Sequence, residues 1–207
     1  MKKYFFLIQL MLLATHSCMA QNFDIDVLKQ TNLNRNTNLD NFFIHYSNTV
    51  TYTYAGTPIL IYTIGIFKKD KKMQTNGINM AINAGINGAF TYALKKSIDR
   101  PRPAVTYPFL TPLENRTRYS FPSGHTSSAF NTATSLSMCY PKWFIIAPSF
   151  AYAGLMGYSR MHEGVHYPSD VFAGAVLGIG SAYLSKRVTA YLQQNKKTNK
   201  IYKAVTF

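Results

Sequence analysis

Pro122-Ser123-Gly124-His125 is a turn that leads into a helix: Ser123 is a natural N-cap, and nothing from His125 to Met138 would break what it begins. The first N–H groups of such a helix have no internal partner and carry the positive end of its dipole. Gly124 lets an anion come close to that backbone. Phosphate suits this geometry, and a histidine in the first turn, His125, stands where it can give a proton to a phosphate oxygen. Upstream, Lys95-Lys96-Ser97-Ile98-Asp99-Arg100-Pro101-Arg102-Pro103 puts cations at a helix end and Arg102 on a loop that Pro101 and Pro103 hold extended. Downstream, Ser159-Arg160 ends a further helix with another guanidinium, whose fork can bond two phosphate oxygens at once. In Val165-His166-Tyr167-Pro168-Ser169-Asp170, Pro168 fits a helix's first turn, so Asp170 can reach back to the imidazole of His166. A carboxylate there would fix the tautomer, leave the other ring nitrogen free to attack and stabilise the cation that forms. The plainer reading of the same pair is a helix cap beside a buried His–Asp contact.

Read in order, the stretches are Lys, six residues, Arg-Pro; then PSGH; then Ser-Arg, five residues, His, three residues, Asp. This ordered triple resembles the signature of the type 2 phosphatidic acid phosphatase (PAP2) superfamily over about residues 78–185, with every polar position of the pattern filled. The resemblance implies that Lys95, Arg102, Ser123, Gly124 and Arg160 bind phosphate. It implies that His166 is the nucleophile of a phosphohistidine intermediate, that Asp170 orients it, and that His125 protonates the leaving group and later activates water. Lys96 and Arg100 fall outside the pattern and are expected in solvent or near head groups; His162 and Glu163 are expected at the entrance or without a role. The spacing holds no HExxH and no cysteine pair, the cations would repel a metal ion, and the family works without one, so no metal and no cofactor are expected.

Five apolar runs must position these loops. Thr49 to Phe67 is interrupted only by Gly56-Thr57-Pro58 and ends at Lys68-Lys69-Asp70-Lys71-Lys72; Ile78 to Leu94 ends at Lys95. The helix from Ser123 runs to Tyr140, Trp143 to Tyr158 delivers Ser159-Arg160, and Val171 to Leu184 stops at Lys186-Arg187. Gly174 and Gly178 in the last run are spaced for close helix packing. Without a repeat or a strand pairing, the pattern predicts an all-α bundle of about five core helices, transmembrane, spanning residues 49–190. Placed across a bilayer with residue 21 outside, all the motifs meet on the outer side. Lys68 to Lys72 and a basic tail over residues 191–207 then lie in the cytoplasm, as the positive-inside preference requires. Against a membrane stand the shortness of several runs, their Asn, Ser and Thr, and a mean hydropathy of −0.09; a soluble bundle would also gather the motifs.

Residues 1–20 read as a signal peptide: Lys2 and Lys3, an apolar stretch from Tyr4 to Ala14, and Cys18-Met19-Ala20 for cleavage before Gln21. Cleavage leaves Cys139 as the sole cysteine, so no internal disulfide is expected. Residues 21–48 read as a flexible polar leader with a short interfacial helix around Phe42, Phe43, Ile44 and Tyr46. Charged residues are 14%, below the roughly 25% usual for soluble domains, and the net charge of +14 falls in short runs between apolar segments. That distribution argues against a nucleic-acid partner. The expected function is a metal-independent phosphatase acting on a lipid phosphate or pyrophosphate at the periplasmic face of a bacterial inner membrane, with no obligate protein partner. Undecaprenyl pyrophosphate, phosphatidylglycerol phosphate, phosphatidate and lipid A phosphates are the substrate classes considered. The alternatives are a soluble periplasmic acid phosphatase and a non-catalytic phospholipid-phosphate binding protein. The set His125, His166 and Asp170 speaks against the last, since binding alone needs no positioned nucleophile.

Overall fold

A computed structural model of the chain describes residues 22–115 and 119–205. A helix over residues 22–28 (α1) closes in a π-helical turn, Lys29–Leu33, and a 3-10 turn, Thr37–Leu39, follows. Next come α2 (Asp40–Phe67), α3 (Lys71–Ile98), the single turn α4 (Pro103–Thr106), α5 (Gly124–Cys139), α6 (Trp143–His162) and α7 (Pro168–Val205). The described residues contain no strand, and the fold is all-α, with the five apolar runs inside the five long helices. α5 is central and packs on α2, α3, α6 and α7.

The helices outrun their apolar stretches because polar residues end them. Asp70 caps α3 by accepting from the N–H groups of Lys72 and Met73, and Asp99 closes it in the left-handed region at φ 43°. α7 continues to Val205, so the expected basic tail from residue 191 is helical through that point. The expected signal segment lies outside the described residues.

The interior of the bundle carries a network of polar contacts beside its apolar core. Asn131 on α5 donates to Asn83 Oδ1 on α3 (3.0 Å) and to Ser181 Oγ on α7 (2.9 Å). Ser127 and Ser181 both donate to Asn87 Oδ1, at 2.8 and 2.9 Å. These side chains are buried, so each amide and hydroxyl needs such a partner. Small apolar residues, Ala129, Ala133 and Ala153, fill in beside Val50 and Met156. Large apolar residues point outward instead: Phe67 is 82% exposed, Trp143 79% and Phe172 72%. The inward Asn and Ser lower the average along each helix, and among the described residues no helix is long and apolar enough to cross a membrane.

α7 lies against α5 with backbone almost on backbone. A Cβ at Gly174 would sit 2.6 Å from the Ser123 carbonyl oxygen, and one at Gly178 would overlap that of Ser127, so the predicted close packing is there and only glycine permits it.

The polar leader is the main departure from expectation. Residues 22–33 are helical and docked: Leu28 is buried against Leu110 and Tyr167, and Asn32 accepts from Thr111 N–H (3.0 Å) and donates to the His162 carbonyl (2.9 Å). Gly164, at φ +69°, meets Asn32 so closely that a Cβ would lie 2.7 Å from its Nδ2. The leader's polarity serves pairing with loops far along the chain, which local hydrophobicity does not register.

Candidate active site

The C-terminal ends of α3 and α6 and the N-terminal ends of α5 and α7 meet at one end of the bundle. They enclose a cavity of about 70 Å³ lined by Lys95, Arg102, Glu114, Gly124, His125, Arg160 and His166. Six of these are residues the sequence singled out.

Each is aimed by its own local structure. Lys95 leaves the last turn of α3, and its Nζ donates to the Tyr119 carbonyl at 2.6 Å, tying the helix to the loop that enters α5. Arg102 N-caps α4 from extended backbone with Pro103 at the first helical position, as proline restriction predicts. Its buried guanidinium donates to the Val165 carbonyl at 2.8 Å and lies 3.4 Å from His166 Nε2. Arg160, 1% exposed in the last turn of α6, donates to Glu163 Oε2 at 2.5 Å, with Glu114 Oε2 at 3.7 Å.

Ser123 occupies the N-cap position of α5, but its side chain makes no capping bond. Its hydroxyl accepts from Thr126 Oγ1 at 2.9 Å, its N–H donates to the Asp170 carbonyl at 3.0 Å, and it is buried outside the cavity lining. The helix end is left to Gly124 and His125. A Cβ at Gly124 would stand 3.6 Å from Lys95 Cε, an ordinary contact, so what glycine preserves is access to the backbone of the first turn.

His166 and Asp170 form a layered pair. Imidazole Nδ1 lies 3.5 Å from Asp170 Oδ2, while Nε2 turns to Arg102 and the cavity. Asp170 is fully buried, accepting from Ser120 Oγ (2.5 Å) and Tyr167 N–H (3.0 Å) at Oδ2, and from Arg100 Nη1 (2.7 Å) at Oδ1. Burial pushes His166 down to about 3; the Asp170 carboxylate beside it opposes this, and the charges of Arg102 and Lys95 add to it. Burial raises Asp170, but the nearby imidazole of His166, Arg100 and Ser120 outweigh it and keep the carboxyl below its ordinary value. The pair therefore rests as neutral imidazole and carboxylate, the state a nitrogen nucleophile requires.

Three expectations are corrected here. Arg100 is not a solvated or head-group residue: it bridges Asp170 and Asp24 (Nη2–Oδ2 2.9 Å), and its guanidinium lies 3.8 Å over the Tyr167 ring. His162 is no entrance residue, being 1% exposed and held by Asp40 Oδ1 at 2.9 Å. Glu163 is fully buried and paired with Arg160. Glu114, Ser120 and Asp24 carried no sequence signal, because they sit in irregular loops or in the leader. The repeated Arg-Pro of Arg100 to Pro103 was the one available hint for Arg100.

Comparison with known proteins bears on the same stretch. The family model described as the PAP2 superfamily matches residues 76–194. An undecaprenyl-diphosphatase of Sulfolobus acidocaldarius is 30% identical over 91% of this chain and 93% of its own length. The crystal structure of Aquifex aeolicus LpxE matches with a TM-score of 0.70 and 32% identity, over 80% of this chain and 95% of that one. A transmembrane PAP2-type phosphatidylglycerolphosphate phosphatase of Bacillus subtilis matches with a TM-score of 0.70 and 26% identity, over 90% and 94%.

Proposed function

The chain belongs to the PAP2 superfamily, and from that premise we propose that it is a metal-independent phosphatase that cleaves a lipid phosphate or pyrophosphate through a phosphohistidine intermediate. The observation that carries the mechanism is the cavity itself, where Lys95, Arg102 and Arg160 surround a space that both His125 and His166 line. The cations and the first N–H groups of α5 hold the phosphate oxygens and meet the charge that develops on them. His166 Nε2 attacks phosphorus; the P–N bond forms as the P–O bond to the lipid breaks, and His125 gives its proton to the departing oxygen. Asp170, 3.5 Å from Nδ1, stabilises the imidazolium character that results. Neutral His125 then takes a proton from water, whose oxygen attacks phosphorus, and the P–N bond breaks to release inorganic phosphate.

The lipid side of the proposal is supported by the apolar exterior over a polar interior, and by the named activities of the relatives. The pocket then faces the outer side of a bacterial inner membrane. Lys71 and Lys72 at the start of α3, and Lys68 and Lys69 just before it, stand at the far end of that helix from Lys95, about 35 Å away by the helical rise. Candidate substrates are undecaprenyl pyrophosphate, phosphatidylglycerol phosphate, phosphatidate and lipid A phosphates. The test is release of inorganic phosphate from this panel and from soluble esters with EDTA present. Turnover of lipid substrates in chelator is expected; activity that vanishes with EDTA sinks the metal-free mechanism, and recovery of the protein by detergent-free extraction sinks the membrane placement.

A further inference from the structure

We propose that Asp24, in the helix ahead of the bundle, is a positioning residue of the active site, acting through Arg100 on Asp170 and so on His166. This rests on His166 being the nucleophile.

Asp24 is 2% exposed, and burying a carboxylate is costly unless charge and hydrogen bonds compensate. Among the described residues, its compensation comes from Arg100 and Ser169, which both contact the catalytic pair's surroundings. Arg100 Nη2 donates to Oδ2 at 2.9 Å, Ser169 Oγ to Oδ2 at 2.5 Å and Ser169 N–H to Oδ1 at 2.9 Å. Asp24 thus satisfies an otherwise partnerless N–H in the first turn of α7, the turn that carries Asp170, from 145 residues away.

The bridge runs through one guanidinium. Arg100 gives Nη1 to Asp170 Oδ1 (2.7 Å) and to Ser169 Oγ (2.8 Å), and Nη2 to Asp24. Its plane is seated on Tyr167, the neighbour of His166. One cation shared by two carboxylates neutralises neither. Asp170 therefore keeps negative charge for the imidazolium that forms at His166, and its Oδ1 is pinned so that Oδ2 faces Nδ1. Without Asp24, the whole fork of Arg100 turns to Asp170, drawing down that charge and its aim. Docking of α1 has a separate basis in Leu28 and Asn32, so the electrostatic role can be separated from mere attachment.

The test uses the full chain and short-chain phosphatidate in detergent micelles. Asp24→Asn is expected to lower kcat about tenfold with KM within about twofold, since Asp24 is not among the cavity-lining residues. Arg100→Gln is expected to do the same, and the double variant to lose no more than either single one, as a shared path requires. Asn32→Ala, which loosens the leader at Thr111 and the His162 carbonyl and leaves Arg100 and Tyr167 untouched, is expected to lower the melting temperature and leave kcat within about twofold. Losses from Asp24→Asn and Arg100→Gln that multiply, or an Asn32→Ala loss equal to that of Asp24→Asn, overturn the proposal. So does an unchanged kcat in folded Asp24→Asn. Should Asp24→Asn not fold, Ser169→Ala removes one hydroxyl of the same cluster: a fall in kcat of about threefold supports the proposal and an unchanged kcat overturns it. An active His166→Ala sinks the reading of the nucleophile itself, whereas an inactive His166→Ala beside an unchanged Asp24→Asn sinks this proposal alone.

Discussion

His162 and His166 stand four residues apart, both buried and both facing an aspartate, yet only one of them lines the cavity. His162 Nε2 meets Asp40 at 2.9 Å, and its ring lies 4.3 Å from that of Phe43, between α2 and α6. His166 meets Asp170 less closely, at 3.5 Å, but its second nitrogen looks at Arg102 and the phosphate-sized space. By contact distance alone, the structural pair is the better one. What separates them is the surroundings of the other ring nitrogen, and a His–Asp pair is therefore no mark of catalysis until that side is known.

The comparison breaks most sharply at the histidines themselves. His166→Ala is expected to lower kcat by about four orders of magnitude, as removal of a nucleophile does, while His162→Ala stays within about threefold. Equal losses in a phosphate-release assay would erase the distinction. The partners come next: Asp170→Asn is expected to cost roughly two to four orders of magnitude in kcat. Asp40→Asn should leave kcat intact and lower the melting temperature by a few degrees, the loss of about one charged hydrogen bond. His125→Ala is expected to cost about 10²–10⁴-fold on a lipid phosphate and clearly less on an aryl phosphate, whose leaving group needs no acid; equal losses on both would remove His125 from that role.

Effects on stability against pH leave turnover aside. His166 holds its proton less tightly folded, at about 3, than its ordinary 6.5, so the unfolded chain binds more protons between those values and stability falls as pH drops through that window. Asp40 is held below its ordinary 3.8, first by the Arg35 hydrogen bond, against burial, with His162 helping. Its contribution is present above about pH 4 and is lost as pH falls through the lowered value. Melting in detergent should therefore show His166→Ala flattening the decline from pH 6.5 downward, and Asp40→Asn changing the curve only below about pH 4. A slope unchanged by His166→Ala would mean the imidazole is not kept neutral by the fold.

The sequence exposed what is local. Proline-stiffened Arg102, Gly124 at a helix start and the four-residue step from His166 to Asp170 are short-range patterns, and the structure brings them to one cavity. Apolar runs located the five long helices but not their ends, since Asp70 and Asp99 terminate α3 with polar groups. What stayed hidden joins distant residues of unremarkable type: Asp24 to Arg100 and Ser169, Asn32 to Thr111, and the Asn and Ser contacts of the interior. Ser123 shows the limit even of a local rule, because the hydroxyl of this buried N-cap residue accepts from the side chain of Thr126 and not from a backbone N–H of the helix it begins.

Gly174 and Gly178 fuse the helix that bears Asp170 to the helix that begins beside His125. With no side chain at those two contacts, neither position has room for substitution, and the seam fixes the spacing of Asp170 from His125. The outward faces of the other helices carry no such restraint. The outer walls can therefore vary without moving the groups held at the seam.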